Sequence, residues 1–154
     1  MKGKPEVLEV LAKMLKEELG AISQYFVHAE MCENWGYKKL SDRTKKLSIV
    51  EMKHAERLIE RMLFLEGTPN LNDMPKLAVG KDVQQQLEND LGLEKGAVAD
   101  YNAGIAVCRK AGDQASADLL QKILAEEEEH VDFQEEQLGL MEQIGTQNYL
   151  AQQM

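Results

Sequence analysis

The sequence predicts an all-α protein: a four-helix bundle with a long connection between its second and third helices and a short fifth helix near the C-terminus. Three observations lead there. Glu, Leu, Lys, Ala, Gln and Met are plentiful while Pro and aromatic residues are scarce, a composition that favours helix. Apolar residues recur every three or four positions over four long runs, and strand-like alternation is absent. The chain also repeats itself at an offset of 76 residues, so what one half builds the other should build again. Its 154 residues suit a single domain able to bury a core without disulfides.

The first helix starts at Pro5, where a missing N–H costs nothing, and carries Val7, Leu8, Leu11, Leu15, Leu19, Ile22 and Phe26 to the Asn34-Trp35-Gly36 break. The second runs from about Lys38 to Leu65 on Leu40, Leu47, Val50, Leu58 and Met62, and stops at Glu66-Gly67-Thr68-Pro69. The short turn between them makes the two antiparallel. Residues 66–81 hold Gly67, Pro69, Pro75 and Gly80 and show no period. About 16 extended residues can reach ~50 Å, whereas a helix of about 28 residues is ~42 Å long, so this connection can cross the whole bundle. The third helix is expected from an Asp82 N-cap to about Ala111, the fourth from about Asp113 to Ile144, and the short fifth after Gly145.

The repeat matches Leu11 with Leu87, Leu15 with Leu91, Glu18 with Glu94, Tyr25 with Tyr101 and Cys32 with Cys108 in the first and third helices. In the second and fourth it matches Glu51 with Glu127 and His54 with His130. Two similar hairpins joined by a full-length crossover imply an approximate twofold axis perpendicular to the helices.

A formal charge of -9 argues against a nucleic-acid or anionic-membrane partner and suits a protein that attracts cations. Cys32 and Cys108 are too few for a disulfide framework and read as buried, reduced thiols. Met1 to Glu6 run straight into an amphipathic pattern, with no apolar signal core and no stretch long enough to span a bilayer, so a cytoplasmic location is expected.

Two of the three histidines lie in Glu-x-x-His, namely Glu51-Met52-Lys53-His54 and Glu127-Glu128-Glu129-His130. Spacing of i, i+3 places a carboxylate and an imidazole on one helical face a turn apart, within reach of one metal centre. A single carboxylate precedes each motif by 33 residues, Glu18 before Glu51 and Glu94 before Glu127, and folding back at each turn brings these positions level. Four carboxylates with two neutral imidazoles balance two divalent cations, and burying them without such a partner would be expensive. Oxygen-rich ligation with imidazole suits iron or manganese better than zinc; iron is the expectation.

Tyr25, two turns beyond Glu18, and its mate Tyr101 read as packed core residues, with a second role as donors beside the centre. Met52 points about 100° away from its ligand neighbour, which suits interface packing or a haem ligand at a subunit contact. His28, ten residues from Glu18, reads as a surface or subunit-contact histidine, and the acidic run Glu126 to Glu129 with Glu135 and Glu136, apart from the candidate ligand Glu127, as a solvated face.

Over its whole length the chain resembles the bacterioferritins, in the six candidate ligands and in Gln24-Tyr25-Phe26, Asn34-Trp35-Gly36, Glu51-Met52-Lys53-His54-Ala55, Leu63-Phe64-Leu65-Glu66-Gly67 and Gln147-Asn148-Tyr149-Leu150. The resemblance implies a ferritin-like bundle, a homo-oligomeric shell of twenty-four subunits and a di-iron ferroxidase centre formed by Glu18, Glu51, His54, Glu94, Glu127 and His130. It also implies iron stored as mineral, b-type haem held between paired subunits by Met52 of each, and a small ferredoxin partner for iron release. The chain departs from many relatives at Lys45-Lys46-Leu47-Ser48-Ile49-Val50, so the resemblance carries no accessory inner-surface iron site, and Phe133 stands where relatives often have Trp. Rival readings of the same ligands are a di-iron or dimanganese enzyme acting on oxygen or peroxide, and a non-catalytic metal-binding helical module.

Overall fold

The structure, a computed structural model, describes residues 1–154 and contains five helices: α1 (Pro5–Trp35), α2 (Lys38–Phe64), α3 (Val83–Lys110), α4 (Gln114–Ile144) and α5 (Thr146–Ala151). The expected ends hold to within a residue or two, because the stop signals act locally. Gly36 takes φ +89°, the left-handed geometry that glycine adopts without a Cβ penalty, and the Tyr37 N–H returns to the Cys32 carbonyl at 2.9 Å. Asp82 caps α3 by accepting from the Gln85 N–H at 2.9 Å. Asp113 caps α4 through the Ser116 N–H at 2.9 Å and also receives Arg61 of α2 at 2.9 Å, tying the start of α4 to the end of α2.

The connection after α2 runs the length of α1. A Cβ on Gly67 would meet the Leu8 side chain, and one on Gly20 would run into the Pro75 ring. Further on, the Ala78 N–H donates to Gln24 Oε1 and the Gly80 N–H to His28 Nε2, both at 3.0 Å. These contacts step along α1 from its start toward its end, so α3 begins beside the C-terminal part of α1 and runs antiparallel to it. Tyr101 accordingly meets Glu18, Tyr25 meets Glu94, and Cys32 meets Gln86.

Two apolar blocks stabilise the bundle. One contains Val7, Leu11, Leu15, Leu58, Met62, Ile105, Cys108, Leu120 and Ile123; the other, toward α5, contains Cys32, Leu40, Val83, Leu87, Met141 and Tyr149. Fully burying a leucine such as Leu58 contributes about 1.5–3 kcal/mol. Helix α5 packs through Tyr149, whose hydroxyl donates to Gln137 Oε1 at 2.7 Å, and the Lys39 N–H reaches the Gln153 carbonyl at 2.9 Å. Both cysteines are buried and free, and no helix is long and apolar enough to cross a membrane.

Candidate metal centre

Between the two apolar blocks all four long helices turn polar side chains inward. α1 supplies Glu18, α2 supplies Glu51 and His54, α3 supplies Glu94, and α4 supplies Glu127 and His130, and all are buried. Each Glu-x-x-His pair projects from one face of its helix, as its spacing requires. The ligand atoms form two overlapping quartets, Glu18, Glu51, His54, Glu127 and Glu51, Glu94, Glu127, His130, within each of which they lie no more than 4.8 Å apart. Glu51 and Glu127 belong to both.

The contacts follow the internal repeat. His54 Nδ1 lies 3.0 Å from Glu51 and 2.9 Å from Glu127; His130 Nδ1 lies 2.8 Å from Glu51 and 3.4 Å from Glu127. The Tyr25 hydroxyl donates to Glu94 Oε1 at 2.6 Å, and the Tyr101 hydroxyl to Glu18 Oε1 at 2.5 Å. Both tyrosines are therefore core residues and donors to the centre at once. The second oxygen of Glu18 and of Glu94 is buried without any partner. Orphaned buried carboxylate oxygens in a cluster of oxygen and imidazole donors fit divalent cations of the iron or manganese kind.

Without metal, electrostatics load this cluster with protons. Burial pushes Glu18 up to about 8, with the Glu51 charge adding to it. Burial and then the Glu94 charge raise Glu51 to about 7, and burial with the Glu127 hydrogen bond raises Glu94 to about 8. Burial also opposes ionisation of Glu127, but hydrogen bonds from Glu94, His130 and His54 outweigh it and hold that carboxyl low. Burial disfavours both imidazolium ions too, yet the surrounding carboxylates prevail, raising His130 to about 12 and His54 far above its ordinary value. Buried tyrosine hydroxyls beside carboxylates are pushed well above 10 and stay protonated as donors.

A cavity of about 480 Å³ between α1, α3 and the crossover reaches Glu18, Glu51, Glu94 and Glu127. Met52 stands apart from the centre, 53% exposed, as its angular offset requires. Two expectations need correction. His28 is completely buried: its Nδ1 faces Asp90 at 3.0 Å while its Nε2 accepts from the Gly80 N–H, so it clamps the crossover. Ten residues along a straight helix of 3.6 residues per turn fall about 80° off the face of Glu18, but inward positions of α1 step through 18, 21, 25, 28 and 32, the 3.5-residue period of wound bundles. Glu126 does not merely face solvent, since it contacts His54 Nε2 and lies 3.4 Å from Arg57 Nη1. Its repeat mate is Val50, so the repeat carried no signal for it.

The ferritin-like domain family matches residues 8–144. The chain is 46% identical to a bacterioferritin of Mycobacterium leprae, over 99% of this chain and 96% of the relative. It is 48% identical to a bacterial ferritin of Synechocystis sp., over 100% and 99%, and 44% identical to a bacterioferritin of Brucella melitensis, over 97% and 92%.

The chain belongs to the bacterioferritins.

Bacterioferritin membership agrees with the helical architecture and with a buried carboxylate and imidazole cluster suited to metal.

Proposed function

We propose that the protein stores iron by oxidising Fe(II) with O2 at this centre and depositing the ferric product inside a shell of twenty-four copies, a single-domain subunit in the cytoplasm. The sharing of Glu51 and Glu127 between the two quartets carries the proposal, because two adjacent cations would each need a donor from both of these carboxylates. Glu18 and His54 would complete the hold on one ion, Glu94 and His130 on the other. Each Fe(II) yields one electron, so an adjacent pair supplies the two that reduce O2 to hydrogen peroxide with two protons. The chain contributes geometry and charge balance. Tyr25 and Tyr101 hold the terminal carboxylates in place, leaving one oxygen of each free for a cation.

Met52 has an exposed thioether, and Ile49 one turn before it is also exposed. An unhindered sulfur on an apolar outer face fits b-type haem shared with a second copy through the same residue. When bound, haem supplies a one-electron carrier for reductive iron release, with a small ferredoxin as donor.

The test is aerobic addition of Fe(II) to metal-free protein beside a Glu127→Ala, His130→Ala double variant. Rapid oxidation of about two ions per chain, followed by continued uptake into a large particle, is expected, with the rapid phase lost in the variant. Rapid turnover without accumulating mineral, or no oxidation at all, contradicts the proposal.

A further inference from the structure

The repeat makes the centre almost symmetric, and the exception is informative. Matching pairs exchange roles throughout: Tyr25 with Glu94 against Tyr101 with Glu18, and His54 with Glu127 against His130 with Glu51. The outer nitrogens of the two imidazoles differ. His54 Nε2 contacts the Glu126 carboxylate, which Arg57 approaches from α2. His130 forms hydrogen bonds within the protein through Nδ1 alone. The mates of Glu126 and Arg57 are Val50 and Phe133, neither of which can accept or donate there. The His54 side chain is 1% exposed and that of His130 8%.

We infer that Glu126 is a positioning residue that makes the two cation subsites unequal, the Glu18 and His54 subsite being the tighter. This rests on the two-cation reading above. By accepting the Nε2–H of His54, Glu126 selects the tautomer whose Nδ1 lone pair faces the centre, fixes the ring and raises the donor strength of Nδ1. Outer carboxylates of this kind typically change metal affinity by about 10–100-fold. His130 has no such partner on its outer nitrogen; the Tyr25 ring lies edge-on to it at 6.4 Å and the His54 ring stacks on it at 6.2 Å, and neither accepts its Nε2–H. Glu126 is itself half-exposed on the α2–α4 side, opposite the cavity between α1 and α3, so its substitution leaves that approach to the carboxylates untouched.

The test is anaerobic titration of metal-free protein with Co(II), followed by its visible d–d absorption, which reads binding and ligand geometry without oxygen chemistry. The wild type is expected to take two Co(II) per chain in two resolved steps. E126A should weaken the tighter step about 10–100-fold and leave the weaker one within about twofold. E126Q, whose amide oxygen can still accept the imidazole N–H, should recover most of the loss. V50E, at the repeat mate of Glu126, should offer a carboxylate to His130, strengthen the weaker step and draw the two together. Equal steps in the wild type, or an E126A shift that is absent or the same in both steps, overturns the inference while leaving the two-cation reading intact. Fewer than two Co(II) per chain at saturation would overturn both.

Discussion

Loading the metal-free protein with two divalent cations should expel protons, and the centre sets how many. At pH 7 both imidazoles carry a second proton, because hydrogen bonds to the surrounding carboxylates raise His130 to about 12 and His54 far above its usual value. A cation on each Nδ1 therefore displaces two protons. Glu18 and Glu94, raised to about 8, are largely protonated at the same pH, Glu51, raised to about 7, is about half so, and all three must ionise to ligate. Total release is then about two to four protons per pair of cations, the lower figure from the imidazoles alone. The sign follows directly. Lowering the pH by one unit should weaken the overall two-cation constant by roughly 10²–10⁴, because each released proton contributes a factor of ten. Anaerobic calorimetric titration with Co(II) in buffers of different ionisation enthalpy measures the count. Release of fewer than one proton per chain, or tighter binding at lower pH, would refute this electrostatic description.

The same shifts predict the pH dependence of metal-free stability. Carboxyls raised from 4.5 and imidazoles raised from 6.5 both contribute stability that is complete below those ordinary values and is lost as pH rises through the folded-state ones. The thermal midpoint of metal-free protein should thus fall between about pH 5 and pH 9, and bound cation should reverse the fall. Leu58→Ala, at a completely buried position of the larger apolar block, should cost about 2–5 kcal/mol in denaturant unfolding. His28→Leu removes the acceptor for the Gly80 N–H and the donor to buried Asp90; a loss of about 1–3 kcal/mol is expected, with faster amide exchange at Gly80. Met52→Leu should abolish haem absorbance in protein reconstituted with haem while leaving Co(II) stoichiometry unchanged, because the side chain lies outside the centre.

The readable parts of this sequence were those that act locally or by repetition. Pro5, Gly36, Asp82 and Asp113 mark helix ends through groups within a few residues of themselves, and the observed elements begin or end there. Glu-x-x-His motifs mated at a constant offset are enough to bring six side chains to one level of the bundle, and the six form one buried cluster. Less was visible where tertiary contact decides. Gln24 and His28 are polar residues on the inward face of α1, and only the path of the crossover shows that Ala78 and Gly80 answer them. Glu126 sits in an acidic run where nothing distinguishes it from Glu128 or Glu129 until α2 brings His54 alongside. Spacing alone puts Tyr25 and Tyr101 on the same face as Glu18 and Glu94, but their reciprocal hold on Glu94 and Glu18 depends on the antiparallel packing of α1 against α3.

Anomalous diffraction at the iron edge, from crystals loaded anaerobically with Fe(II), tests the central claim most directly. Two peaks about 3.5–4 Å apart are predicted inside each bundle, both bordered by Glu51 and Glu127, with Glu18 and His54 beside one and Glu94 and His130 beside the other. A single peak, or iron bound only on the outer acidic surface, would contradict it.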